Sequence, residues 1–183
     1  MISKYSEVED VILYGSTVRG KKNPKDVDIL VLFHQKVDKK TEYEIRKTIE
    51  KDYDNVSIIS KTAATVLESA FDARESVLFE GKSFLTGKTL GEKYGFSSLG
   101  MFKYDFKGWN NTKRTKFYYA LNGRGKEKGI SQKLQCIKYS DRVVLVPLDH
   151  IELFREFLES WEMEYRYVPM LLPIRLNRRK ILE

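Results

Sequence analysis

The 183-residue sequence is poor in cysteine, histidine and proline, with one, two and four of each. A lone Cys136 excludes an intrachain disulfide and suits a reducing cytoplasm, the localisation expected here. With only His34 and His150 beside it, there are too few soft ligands for a structural zinc site. Neither histidine has a partner in the sequence, so both read as capping or packing residues. Long hydrophobic runs are missing as well. The longest, such as Ile29 to Phe33, are far too short to cross a bilayer, so no membrane association is expected. Residues 1–10 are polar and partly acidic, without the basic start and apolar middle of a secretory leader. Internal repeats and low-complexity tracts are absent. What remains is an ordinary globular balance, 42% hydrophobic and 32% charged, over a length that suits one large domain or two small ones.

The charge is not spread evenly. Of the net +7, residues 1–90 contribute nothing, with 15 Lys/Arg against 15 Asp/Glu. Residues 91–183 hold 18 against 11, and the stretch from Lys103 to Arg142 holds 11 against 3. A local +8 of this kind attracts polyanions, of which nucleic acid is the commonest in a cell. So clean a split points to two domains. We expect them at 1–95 and 96–183, because five glycines crowd residues 81–100 without an apolar period.

Hydrophobic periodicity predicts an α/β first half. Val11 to Gly15 reads as a short strand, Val27 to Phe33 as a central strand apolar on both faces, and Val56 to Ile59 as a third. Thr41 with Glu44 forms a capping box ahead of Ile45, Ile49 and Tyr53, the mark of an amphipathic helix. A longer helix is predicted over 62–80, with Ala63, Leu67, Ala70, Phe71, Val77 and Leu78 on one side. In the second half, strands are expected at 101–106, 143–147 and 165–172, the last at an edge because Pro169 cannot donate to a ladder. Residues 112–122 read as a helix closed by Gly123, though a strand also fits. Asn122 to Gly129 is a glycine- and lysine-rich loop. Asp149 and Glu152 are expected to cap a helix carrying Phe154, Phe157, Leu158 and Trp161.

The chemistry lies in residues 13–33, LYGSTVRGKKNPKDVDILVLF. A strand ends at Gly15-Ser16, a turn with Arg19-Gly20 follows, and a second strand opens with Asp26-Val27-Asp28. Gly15 lets the backbone approach a phosphate, and the N–H groups after it can bind phosphate oxygens. Ser16 adds a hydroxyl, and Arg19 a guanidinium suited to phosphate. Asp26 and Asp28, two apart on a strand, point to one face with Cα atoms about 6.5–7 Å apart. Two hard carboxylates on one face suit Mg²⁺ (or Mn²⁺), which shares its shell with substrate phosphates.

This arrangement resembles the DNA polymerase beta nucleotidyltransferase superfamily, in its minimal, stand-alone form, over residues 11–60 well and to about 90 loosely. The hallmark is Gly-Ser, roughly ten residues, then Asp-x-Asp. The resemblance implies a mixed α+β domain in which Gly15 and Ser16 hold the β- and γ-phosphates of an NTP, ATP being the expected one, with Arg19 the further nucleotide-binding candidate from its own chemistry. It implies that Asp26 and Asp28 are the metal-binding catalytic pair, and that NMP passes to an acceptor hydroxyl. The pattern departs at one point. Active members carry a third carboxylate on the next strand, and Val56-Ser57-Ile58-Ile59 places Ser57 there. Asp54 falls on the opposite face, about 10 Å away; a bend, or Asp72 or Glu75 from the following helix, could substitute. Gly87-Lys88-Thr89 imitates the tail of a P-loop, but the glycine required five residues earlier is Lys82, so a surface turn is expected.

The basic stretch interleaves Tyr104, Phe106, Trp109, Phe117, Tyr118, Tyr119 and Tyr139. Rings beside cations suit single-stranded nucleic acid, and packing in a core is the competing reading. Arg124, Lys126 and Lys128 are the leading phosphate-contact candidates, with Lys113, Arg114 and Lys116 beside them. The expectation is therefore a polymerase beta-like nucleotidyltransferase domain followed by a smaller basic α/β domain that positions an acceptor, RNA being the favoured one. Two alternatives stand beside it. One is a catalytically impaired nucleotide- and nucleic-acid-binding module. The other is an antitoxin-like enzyme that modifies a protein partner.

Overall fold

Val27–Phe33 forms a strand, β2, whose residues are buried on both faces except at Asp28. The first of two units, Met1–Gly95 and Phe96–Glu183, is built around it. The computed structural model describes residues 5–21, 24–53 and 55–176; Asp54 lies outside the described residues.

β1 (Val8–Tyr14) runs antiparallel to β2, with Tyr14 opposite Asp28. β3 (Val56–Thr62) runs parallel to β2 on its other side, with Ser57 beside Asp28. A two-residue strand, β4 (Lys82–Ser83), completes a mixed sheet of order β3-β2-β1-β4. Strand alternation divides the core in two. Ile29, Val31 and Phe33 pack with Val11 against Ile45 of helix α1 (Lys39–Ile49). Leu30 and Leu32 pack with Ile12 and Tyr14 against Val66, Phe71 and Val77, the last on helix α2 (Arg74–Glu80). Each such side chain contributes about 1.5–3 kcal/mol through burial. Asp28 shares the parity of Leu30, so it points to the α2 side of the sheet.

Three local expectations need correction. The cap of α1 is Asp38 and not Thr41. The Asp38 carboxylate accepts the N–H groups of Lys40 and Thr41, so the helix starts earlier. Thr41 is buried, and its hydroxyl donates to Glu7 and Asp38. Tyr53 lies beyond the helix and is exposed. The helix predicted over 62–80 contracts to α2, with residues 63–73 forming turns. Thr62 and Thr65 exchange side-chain-to-backbone hydrogen bonds at 3.1 and 3.3 Å, a local alternative to helix. Ala63, Leu67 and Ala70 are exposed as a result, while Val66, Phe71 and Val77 stay buried. The glycine-rich segment is also more ordered than its composition suggests. Gly87-Lys88-Thr89 is a turn leading into helix α3 (Leu90–Lys93), which a Thr89–Glu92 capping box closes.

In the second unit, β5 (Phe96–Tyr104) starts before the expected Met101 and lies between β10 (Tyr165–Pro173) and β9 (Val143–Pro147). β8 (Ile137–Ser140) follows β9, and all pairs are antiparallel. β10 is an edge strand with Pro169 in it. Residues 111–122 are helical, α4 (Asn111–Asn122): Asn110 caps the Lys113 N–H, and Gly123 turns the chain at φ +90°. The glycine-lysine loop is a hairpin of β6 (Gly123–Arg124) and β7 (Glu127–Lys128), followed by α5 (Ile130–Lys133). Gly123 makes this closure possible, because a Cβ there would lie 2.2 Å from the Glu127 carbonyl oxygen. Helix α6 (Ile151–Ser160) is entered through a 3-10 turn, Leu148–His150, that contains Asp149. His150 is its N-cap without a side-chain cap bond, so the cap expected from Asp149 and Glu152 does not form; Glu152 pairs with Arg155 at 3.3 Å.

Rings glue the helices to the sheet. Phe102 meets Phe154 at 5.1 Å, Phe117 stacks on Phe157 at 5.5 Å, and Phe106, Trp109 and Trp161 surround Phe117. Of the seven aromatics in the basic stretch, Tyr104 and Phe117 are buried, while Tyr118, Tyr119 and Tyr139 are exposed. Among the described residues no helix is long and apolar enough to cross a membrane.

Candidate active site

Gly15 follows β1 at φ +82°, a backbone conformation that side chains disfavour. Space makes the same demand. A Cβ at position 15 would stand 2.5 Å from Asp28 Oδ2, so the Asp28 carboxylate rests directly against the glycine α-carbon. The β1–β2 register produces this contact by setting Tyr14 opposite Asp28 at the end of the ladder. Beyond Gly15 the chain winds tightly: Val18 N–H bonds to the Gly15 carbonyl and Lys21 N–H to that of Ser16. Ser16 and Arg19 are half-buried in this turn. Thr17 buries its hydroxyl oxygen without a hydrogen-bond partner among the described residues.

The sequence did not single out Glu80, which organises this turn. It ends α2 with only 4% of its side chain exposed. One carboxylate oxygen accepts the Gly15 N–H at 2.9 Å, and the other accepts from Arg19 Nη1 at 2.5 Å. A carboxylate in the last turn of a helix sits at the unfavourable end of its dipole. Burial adds a desolvation cost, and the two charge-assisted bonds offset both. Glu80 therefore holds the left-handed Gly15 turn and the Arg19 guanidinium beside Asp28. Its signal in the sequence is a carboxylate three residues after Val77, on the apolar face of the helix.

Asp26 stands exposed immediately before β2, and Asp28 is half-buried one pleat further. Burial pushes the Asp28 carboxyl upward, the like charge of Asp26 adds to this, and Arg19 pulls it back. Burial first, then Asp28 and Glu80, raise the neighbouring Tyr14 phenol to about 12. A half-buried carboxylate beside a second one, set against a turn with an unpartnered buried hydroxyl, fits a hard divalent cation bound together with phosphate oxygens. They do not form a closed cage. Among the described residues no group of three or more His, Cys, Asp or Glu side chains is placed to hold a metal.

Ser57 occupies the place beside Asp28 on β3, on the face that Ile59 shares with Leu30. Asp72 and Glu75 are exposed, and Glu75 lies 3.5 Å from Arg74. The candidate cations of the second unit are divided in their surroundings. Lys113 lies over Trp109 and 3.7 Å from Glu162, and Arg114 donates to the Phe106 carbonyl at 3.3 Å. Lys116, Lys126 and Lys128 are exposed, and Arg124 lies over the Tyr119 ring at 4.9 Å.

Comparison with known proteins gives one family match. Residues 1–83 match the family described as Polymerase beta, Nucleotidyltransferase. No curated protein and no solved structure matches the chain. The match ends at Ser83, on the last strand of the first sheet. The first unit of this chain is thus a nucleotidyltransferase domain of the polymerase beta superfamily.

Proposed function

We propose that the protein transfers an NMP from an NTP, ATP in the first instance, to an acceptor hydroxyl, with RNA as the acceptor. The carrying observation is the close approach of the Asp28 carboxylate to Gly15, 2.5 Å from where a Cβ would stand, which sets one of the two carboxylates against the phosphate-type turn. Ser16 and the backbone N–H groups of the turn donate to triphosphate oxygens, and Arg19 supplies positive charge beside them. Glu80 keeps the turn in its bound shape before substrate arrives, which lowers the ordering cost of binding. Asp26 and Asp28 are the ligands for Mg²⁺ (or Mn²⁺), and the ion when bound neutralises charge on the triphosphate. In the transfer, the acceptor oxygen bonds to the α-phosphorus, the bond from that phosphorus to the bridging oxygen breaks, pyrophosphate leaves, and the hydroxyl proton passes to solvent.

Ser57 supports a second reading, a nucleotide-binding module with impaired turnover, because its register beside Asp28 supplies a hydroxyl where a carboxylate would serve as base. One experiment separates the readings. The full chain is incubated with each α-labelled NTP, Mg²⁺, bulk RNA and a cell extract, and the products are resolved by size and by nuclease or protease digestion. Label in RNA, abolished by Asp26→Asn/Asp28→Asn, is the expected result. Label in protein supports the antitoxin-like alternative. MgATP binding without label in any product supports the binding module.

A further inference from the structure

We propose that a cleft in the second unit, between α4 and the β8–β9 hairpin, seats one nucleotide of a single-stranded RNA. The cleft has a volume of about 500 Å³, within the range of small-ligand sites. Its floor is closed by the buried rings of Tyr104 and Phe117, and Phe106 and Tyr118 carry its accessible ring surface. On α4, Arg114 and Tyr118 are one helical turn apart and line it together. From the hairpin come Lys138, Asp141 and Arg142. Three cations against one carboxylate leave a positive lining around an aromatic wall. That combination takes a flat ring carrying a phosphate, so the ligand is a nucleoside monophosphate unit.

Two observations show a site poised for such a ligand. Tyr104 is 2% exposed, and its hydroxyl has no hydrogen-bond partner among the described residues. A buried hydroxyl without a partner is costly to the fold, and a polar group of a ligand that reaches the floor of the cleft would supply what the protein does not. The hairpin cations are also held by exchangeable contacts. Lys138 pairs with Asp141 at 3.0 Å and Arg142 with Asp105 at 3.2 Å, and the carboxylates of both pairs are exposed. Exposed pairs of this kind are weak, so both cations can turn to a phosphate at little cost. The exposed Tyr118 ring, with Lys138 Nζ 5.4 Å from its centroid, offers a stacking face at the same mouth.

The source of the nucleotide rests on the reading of RNA as acceptor; the seat itself rests on the cleft. A short labelled single-stranded RNA of mixed sequence and, separately, AMP are titrated into the full chain. Lys138→Gln/Arg142→Gln should weaken both ligands by about tenfold or more, the loss expected for charge-assisted contacts. Lys107→Gln/Lys133→Gln removes equal charge from exposed positions outside the cleft and should leave AMP affinity unchanged. Tyr104→Phe should weaken binding several-fold without lowering Tm, because the hydroxyl has no partner to lose. RNA affinity unchanged in both cleft variants overturns the seat and leaves the RNA acceptor standing. AMP binding that the cleft variants abolish, with no RNA binding by the wild type, upholds the seat and removes RNA as its source. No binding of either ligand by the wild type overturns both.

Discussion

Glu80 and Asp28 are opposite cases of one problem, a carboxylate withdrawn from water. Glu80 is compensated by the Gly15 N–H and Arg19. Replacing it with alanine leaves that N–H without its acceptor and should cost about 2–3 kcal/mol in urea unfolding, since bonds to charged groups are worth more than neutral ones. Glu80→Gln retains an acceptor oxygen for the N–H and should lose less than half as much. Equal losses in the two variants would show that charge, and not the turn, is what Glu80 supports. Asp28 is compensated only in part: burial and Asp26 raise its pKa, and Arg19 offsets some of that rise. A carboxyl raised in the folded state contributes stability only below the ordinary carboxylate range, and loses it as pH climbs through the raised value. At neutral pH and without metal, Asp28→Asn should therefore raise Tm by a few degrees. That gain should shrink as pH falls through the raised Asp28 value, while MgATP binding by calorimetry is lost. A lower Tm in EDTA at neutral pH would contradict this account of the site.

Register decides the chemistry at the scale of elements. β2 brings Asp28 beside Ser57 on β3 and opposite Tyr14 on β1, so its two ladders fix both Asp28 and its missing neighbour. Ser57 is exposed, so a carboxylate there meets no packing obstacle. Ser57→Asp should raise labelled-NMP transfer about 100-fold, the low end of the range ascribed to a general base, with MgATP affinity changed little. Unaltered transfer from a folded variant would remove the third carboxylate as the limiting feature. The apolar period of β2 and its two aspartates were legible without coordinates, because a strand buried on both faces leaves few other ways to read the run. The extent of α2 was not, because Thr62 and Thr65 satisfy each other's backbone and end the helical option locally. The cap at Asp38 and the turn holding Asp149 were misread for a similar reason: several polar residues can cap one helix start, and tertiary packing selects among them.

For the molecule as a whole, charge divides as the two units do. Residues 1–90 balance, while Lys103 to Arg142 carries a net +8. If phosphate contacts drive RNA binding, affinity should fall with salt at a log–log slope of about −0.7 per contact on single strands. Replacing Arg124, Lys126 and Lys128 together should flatten that slope by about 2 units and leave base preference nearly unchanged. A fluorescence titration across a salt series reads both, and a wild-type slope near zero would reduce the basic stretch to a solvated face. Sequence alone determined the nucleotidyltransferase motif, the central strand and the charge split, because each depends on residue identity at short spacing. Only the tertiary structure decided that Glu80 reaches Gly15, that Asp28 lies against its α-carbon, and that Tyr104 and Phe117 pack inward while Tyr118 faces solvent. Those outcomes join residues far apart in the chain or turn on which face of an element meets a neighbour. No local pattern specifies either, because the free energy that selects them comes from burial and from hydrogen bonds completed only when the elements pack.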